Sequence, residues 1–300
     1  MTLMLVASSS LSCARSADTD TSAHEVVQGS AGVAATSTSA ATVRSQGALE
    51  RRLLAFVEPL SAEVGDFALL PSPRSLGAAI ADEDQPALLY TVGVIEGVAP
   101  GVSRVRWSSD ERGQVPNALI IPIGKSSLAQ LSSVVLAPLS GASGLGLGFV
   151  VRGGEPESPM VRALDTARAP TDPSEPERRL APNAFRALRT AGEIGSPMAC
   201  RRSGRVERFI LLRAGSGISL GLGFAGQLEV LDAAQCRPLP LWPDLKAGDR
   251  VSVPLASVFV RANVERVDAA AGRVDVLADF AGQRRPLSFG FGSVATLLPP

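Results

Sequence analysis

The stretch 244–298 constrains the chain most. It opens with Lys246-Ala247-Gly248-Asp249-Arg250, followed by Val251 and Val253 alternating with polar neighbours. Further apolar runs follow at 259–267, at 273–280 and at 285–292, separated by short breaks such as Ala271-Gly272. Val274, Val276, Ala278 and Phe280 share one parity, and Asp275 and Asp279 the other. Successive side chains of a strand point to opposite faces, so this alternation predicts a half-buried strand with Phe280 inside and both aspartates in solvent. Several such strands, joined by Gly-containing turns in so little chain, are enough to roll up one small β-barrel.

Three pieces of this stretch resemble a Tudor-like, SH3-like barrel. They are Gly248-Asp249-Arg250-Val251, the run ending Val264-Glu265-Arg266-Val267-Asp268, and Gly272-Arg273-Val274-Asp275-Val276. The resemblance implies a bent antiparallel sheet, with any ligand held between loops on an aromatic-lined surface. Reading a methylated Lys or Arg would take a cage of aromatic faces around the cation. Phe67, Tyr90 and Trp107, and farther on Phe259, Phe280, Phe289 and Phe291, sit mostly at core parities. The resemblance is therefore expected to extend to the fold and not to methyl-ligand reading.

The same devices recur upstream. Gly65-Asp66 echoes Gly248-Asp249, and Leu145-Gly146-Leu147-Gly148-Phe149 echoes Leu220-Gly221-Leu222-Gly223-Phe224. Repetition of this kind predicts an all-β chain of tandem small barrels. Their expected bounds are 48–124, 125–190, 191–240 and 241–300. The first is led by a short helix at 48–57, where apolar residues fall at helical spacing before Pro59. The segments 71–86 and 169–178 read as polar excursions. The alternative organisation is two larger β-domains, each a fused pair.

Residues 1–13 form a short apolar run ending in small residues and Cys13, which resembles a bacterial lipoprotein signal. The resemblance implies that Cys13 becomes the first residue and carries lipid. Residues 14–47 are Ser, Thr, Ala and Gly with almost no large apolar side chain, the composition of a flexible tether. The expected location is the cell envelope, with membrane contact through the lipid anchor only. An ordinary export signal, giving a secreted protein, is the alternative.

The 29 Lys and Arg residues equal the 29 Asp and Glu residues, so no global basic field points to nucleic acid. Arg201, Arg202, Arg205 and Arg208 form the single candidate stripe. The only histidine, His24, lies in the tether, which removes Ser-His-Asp and Cys-His nucleophile schemes. Gly221 to Gly226 satisfies a G-x-G-x-x-G pattern loosely by letter, but strand-like residues follow where a dinucleotide site needs a helix. Short charge clusters such as Arg284-Arg285 read as ordinary surface. In an SH3-like barrel the first and last strands are neighbours, so the resemblance implies a Cys200–Cys236 disulfide; two buried free thiols are the alternative.

These features lead to the expectation of a non-enzymatic, envelope-anchored binding or scaffold lipoprotein, with an envelope protein or a cell-wall component as partner. No catalytic residue, metal or cofactor is assigned. Two alternatives stand beside it. One is a cell-wall hydrolase using a carboxylate pair between barrels. The other is a cytoplasmic Tudor-like binder of peptide or nucleic acid.

Overall fold

A short turn that occurs four times organises the chain. The computed structural model describes residues 62–81, 88–139, 143–152, 155–165, 167–172, 176–280 and 282–296. The expected signal segment, Cys13, the tether and the helix at 48–57 lie outside them.

The described strands are all antiparallel and fall into four sets of five. Set one holds β1 (Phe67–Pro71), β2 (Tyr90–Val98), β3 (Val102–Trp107), β4 (Arg112–Pro116) and β5 (Ile121–Pro122). Set two holds β6 (Val134–Pro138), β7 (Leu145–Arg152), β8 (Met160–Ala163), β9 (Arg178–Arg179) and β10 (Arg186–Leu188). Set three holds β11 (Pro197–Arg202), β12 (Arg205–Ala214), β13 (Ile218–Leu222), β14 (Leu228–Asp232) and β15 (Cys236–Pro238). Set four holds β16 (Arg250–Leu255), β17 (Val258–Asp268), β18 (Arg273–Phe280), β19 (Gln283–Gly290) and β20 (Ala295–Thr296). In every set the spatial order is fourth, third, second, first, fifth. Sets one and two are separate five-stranded sheets, whereas sets three and four join through their second strands, where Glu207 of β12 meets Val258 of β17.

The recurring turn precedes the first strand of each set. In set one Gly65 N–H donates to the Ile95 carbonyl (2.8 Å), Ile95 N–H donates to the Asp66 carbonyl (2.9 Å), and Asp66 N–H closes onto Glu63 (3.1 Å). Set four repeats it with Gly248, Val264, Asp249 and Lys246 at 2.8, 2.9 and 3.1 Å. Ser132, Val150, Ser133 and Gln130 do the same in set two, and Gly195, Leu211, Ser196 and Glu193 in set three. The third turn residue is left-handed each time, with φ of 92°, 63°, 94° and 91° at Gly65, Ser132, Gly195 and Gly248. Glycine adopts that region without a Cβ clash, which is why three of the four are Gly.

Directly after the strand residue so engaged, each second strand carries a β-bulge. The register shifts fall at Ile95/Gly97, Val150/Arg152, Leu211/Arg213 and Val264/Arg266. A bulge bends its strand and increases its twist, so one strand can serve both halves of a curled sheet.

The sets share their interior. One continuous buried cluster includes Leu69, Leu136, Leu212 and Val251, a residue from each. Phe149 of β7 meets Phe291 edge to face at 6.1 Å between centroids. Arg168 exchanges both backbone hydrogen bonds with Ser288 of β19, and Tyr90 N–H donates to the Gly226 carbonyl at 2.7 Å. No helix among the described residues is long and apolar enough to cross a membrane.

Three sequence expectations are corrected. The 71–86 excursion contains a helix, α1 (Pro73–Ala81). Ser72 caps it, its Oγ accepting from Ser75 N–H at 3.2 Å, and Pro73 takes the first helical position, where its missing N–H costs nothing. Asp275 is buried, with Arg266 at 2.8 Å. The Arg168–Ser288 pair extends the ladder past β19, and Asp275 lies opposite Ser288 in mid-sheet. Phe280 is exposed: it pairs with Gln283 at the hairpin end, beyond the reach of the shared core.

Candidate binding site

The common turn and bulge give the four sets one frame of reference, in which equivalent positions can be read directly. Two cross-strand pairs follow the turn in each set. They are Phe67–Val94 and Leu69–Val92 in set one, and Val134–Phe149 and Leu136–Leu147 in set two. In set three they are Pro197–Ile210 and Ala199–Arg208. The first two quartets are wholly apolar, and all their members but the half-buried Val94 lie in the shared core. The lone charge of the third, Arg208, is held by Asp165 of set two at 2.6 Å. This face is where the sets pack on one another.

In set four the same quartet is Arg250–Asn263 and Ser252–Arg261. Arg250 and Arg261 are exposed, and neither has an ion pair among the described residues. One step beyond the Ala262–Ala278 pair, Arg261 comes level with Asp279, which pairs in turn with Arg284 across the β18–β19 hairpin at 3.3 Å. Together with Gly248 and Asn263 these side chains line a cleft of about 530 Å³. Three guanidiniums face one carboxylate there, leaving an excess of positive charge.

Arginine presents a planar fork of donors that fits carboxylate and phosphate oxygens in pairs. Asn263 adds both donor and acceptor, and Asp279 accepts only. The arrangement suits binding an anion that also carries hydroxyl or amide groups. It contains a single carboxylate, so the acid and base pair that glycoside hydrolysis needs is not assembled in this cleft.

Set one carries a comparable charge cluster and closes it internally. Glu96 holds Arg106 at 3.0 Å and Arg112 at 3.1 Å, and Asp110 holds Arg106 at 3.0 Å. Desolvation pushes the Glu96 carboxyl up, but the hydrogen bonds and charges of Arg112 and Arg106 outweigh it and hold the group below its ordinary pKa.

The remaining sequence candidates are distributed as follows. Cys200 of β11 and Cys236 of β15 are directly paired in register and joined as a disulfide. Of the candidate basic stripe of set three, Arg202 is paired to Glu229 at 3.2 Å and Arg208 to Asp165. Phe67, Tyr90, Trp107, Phe289 and Phe291 are buried, Phe259 is half-buried and Phe280 stands exposed at its hairpin end; no aromatic cage forms among the described residues. The Tyr90 hydroxyl has no hydrogen-bond partner among them, and burial raises its pKa, so it stays protonated. Gly146 and Gly148 lie inside β7, and Gly221 inside β13. Among the described residues no three of His, Cys, Asp and Glu come together in a way that could hold a metal ion.

Arg250, Arg261, Asp279 and Arg284 were not singled out by the sequence. Arg250 stands in the Gly-Asp-Arg opening and Arg284 in a short basic pair, and each reads as routine surface until the four sets are aligned.

No protein-family model matches the chain, and no curated protein does.

Proposed function

We propose that the chain is a non-enzymatic, envelope-anchored binding or scaffold protein built from four fused Tudor-like, SH3-like barrels. In this reading Cys13 carries the lipid, residues 14–47 form the tether, and the barrels occupy 48–124, 125–190, 191–240 and 241–300. The barrel assignment is supported by the repeated strand order, in which the first strand of each set lies between the second and the fifth, and by the bulge that bends every second strand. The observation that carries the function is the quartet of set four. In three sets this face lies mostly in the shared core, whereas the fourth exposes Arg250 and Arg261 beside a half-buried Asn263 and a buried Ser252. This exposed, charged departure at a position otherwise given to packing supports reading the surface as the one that meets a partner. That partner is an envelope protein or a cell-wall component bearing negative charge.

The test is retention of envelope components by the immobilised, cross-linkable full chain at low salt, beside the Arg250→Ala/Arg261→Ala variant. The reading expects a species held by the parent chain and lost from the variant, with folding unchanged because both side chains are exposed. Surface changes of this kind alter stability by about 0.5 kcal/mol or less. Equal retention by both proteins would contradict it.

A further inference from the structure

The open face of set four carries enough detail to define the chemistry of what it holds; the argument rests on the binding reading above and deepens it. Arg250 lies opposite Asn263 and Arg261 opposite Ser252. The two arginines are therefore diagonal neighbours on adjacent strands, about 7–8 Å apart at the backbone, and their long side chains can converge on one group. Arg284 stands across the cleft, already bonded to Asp279. Three guanidiniums against one carboxylate leave two positive charges unbalanced.

A simple carboxylate brings one negative charge. A phosphate monoester brings about 1.5 to 2 at neutral pH, with three acceptor oxygens for the donor forks of Arg250 and Arg261. A bare phosphate, however, sets a second anion beside Asp279, whose one ion-pair partner in the cleft is Arg284. An ionised carboxylate has acceptor sites only, and the half-exposed Asp279 can take a ligand hydroxyl or amine in place of water. Asn263, a donor and an acceptor on the same wall, asks for the same kind of group. The volume of about 530 Å³ leaves room for a body attached to the phosphate.

We infer that the cleft of set four binds a phosphorylated sugar or polyol. The phosphate sits between Arg250 and Arg261, and ligand hydroxyls donate to Asp279 and exchange hydrogen bonds with Asn263. Arg284 holds the Asp279 carboxylate in place.

The test is isothermal titration of the full chain at neutral pH and low salt with glucose 6-phosphate, inorganic phosphate and glucose in separate runs. Low salt is needed because exposed charges are screened within about 10 Å at ordinary ionic strength. Glucose 6-phosphate should bind, inorganic phosphate should bind about tenfold more weakly, and glucose should show no binding. Arg250→Ala/Arg261→Ala should weaken glucose 6-phosphate by about tenfold or more at unchanged melting temperature. Asp279→Asn should raise affinity for inorganic phosphate and bring the two phosphorylated ligands closer together.

Absence of glucose 6-phosphate binding, equal affinity for it and inorganic phosphate, or indifference to the double substitution would each overturn the inference. Arginine-dependent capture of an envelope component, observed without glucose 6-phosphate binding, would show that the ligand class is wrong while the binding reading stands.

Discussion

Sets two and four are built on one plan and turned to opposite uses. Both open with the same turn, carry the same bulge and order their five strands identically. Yet the quartet after the turn is Val134, Phe149, Leu136 and Leu147 in one and Arg250, Asn263, Ser252 and Arg261 in the other. The lesson is a division of labour. Backbone devices, a left-handed turn residue and a bulge, specify the curled sheet. The side chains on its first two pairs decide whether that sheet packs against a sister or faces solvent. Apolar burial drives the first outcome at about 25 cal/mol per Å² removed from water. Unpaired guanidiniums resist the same burial, because a desolvated charge without a partner is costly.

The strongest way to break the comparison is to damage the buried side. Phe149→Ala removes a ring that is 1 % exposed and abolishes the edge contact with Phe291. A loss of about 3–5 kcal/mol is expected in urea denaturation. A cost as small as that of a surface substitution would mean that the quartet of set two does not pack.

A smaller effect sharpens the equivalence of the turns. Gly65 and Gly248 have φ of 92° and 91°, and an added Cβ would meet nothing within 4 Å at either. The cost of Ala should therefore be backbone strain alone, about 1 kcal/mol at each site. Thermal denaturation of Gly65→Ala and Gly248→Ala should give matching shifts; a clear inequality would show that the two turns are not the same device.

The smallest effect contrasts closed with open charges. The folded pKa of Glu96 is depressed by Arg112 and Arg106 against desolvation, so its contribution to stability is present above the unfolded carboxylate value. It is lost as pH falls through the depressed folded value. Side-chain resonance titration of Glu96 should give a midpoint below that of an ordinary glutamate, and Arg112→Ala should move it upward. No upward movement would remove the claim that set one neutralises its own charges.

Much of the fold was legible because alternation and turn chemistry are local. The run 273–280 coincides with β18, and Cys200 and Cys236 are joined across neighbouring strands. What was not legible depended on distant partners. Asp275 is buried and held by Arg266 from the neighbouring strand, in a ladder that Arg168, far upstream, extends through Ser288; parity alone leaves it in solvent. The α1 signal, Ser72-Pro73 followed by Ser75, was present but lay within a polar stretch. The echo Gly65-Asp66 with Gly248-Asp249 found two of the four turns. Ser132-Ser133 and Gly195-Ser196 share the geometry with different letters. The cleft was the least visible part. Arg250 and Arg261 gain meaning only from register, and from the apolar residues that occupy their places in the other sets.

The most direct test places a photo-crosslinking amino acid at Asn263 of the full chain in cells, and separately at Arg112 on the charge-closed surface of set one. Asn263 lies opposite Arg250 and lines the cleft, whereas Arg112 belongs to the internal Glu96 network. A discrete envelope adduct from the Asn263 position, absent from the Arg112 position and lost when Arg250 and Arg261 are replaced by Ala, is the predicted result. Adducts from Arg112 with none from Asn263 would contradict the account, and the open face of set four would no longer be its binding surface.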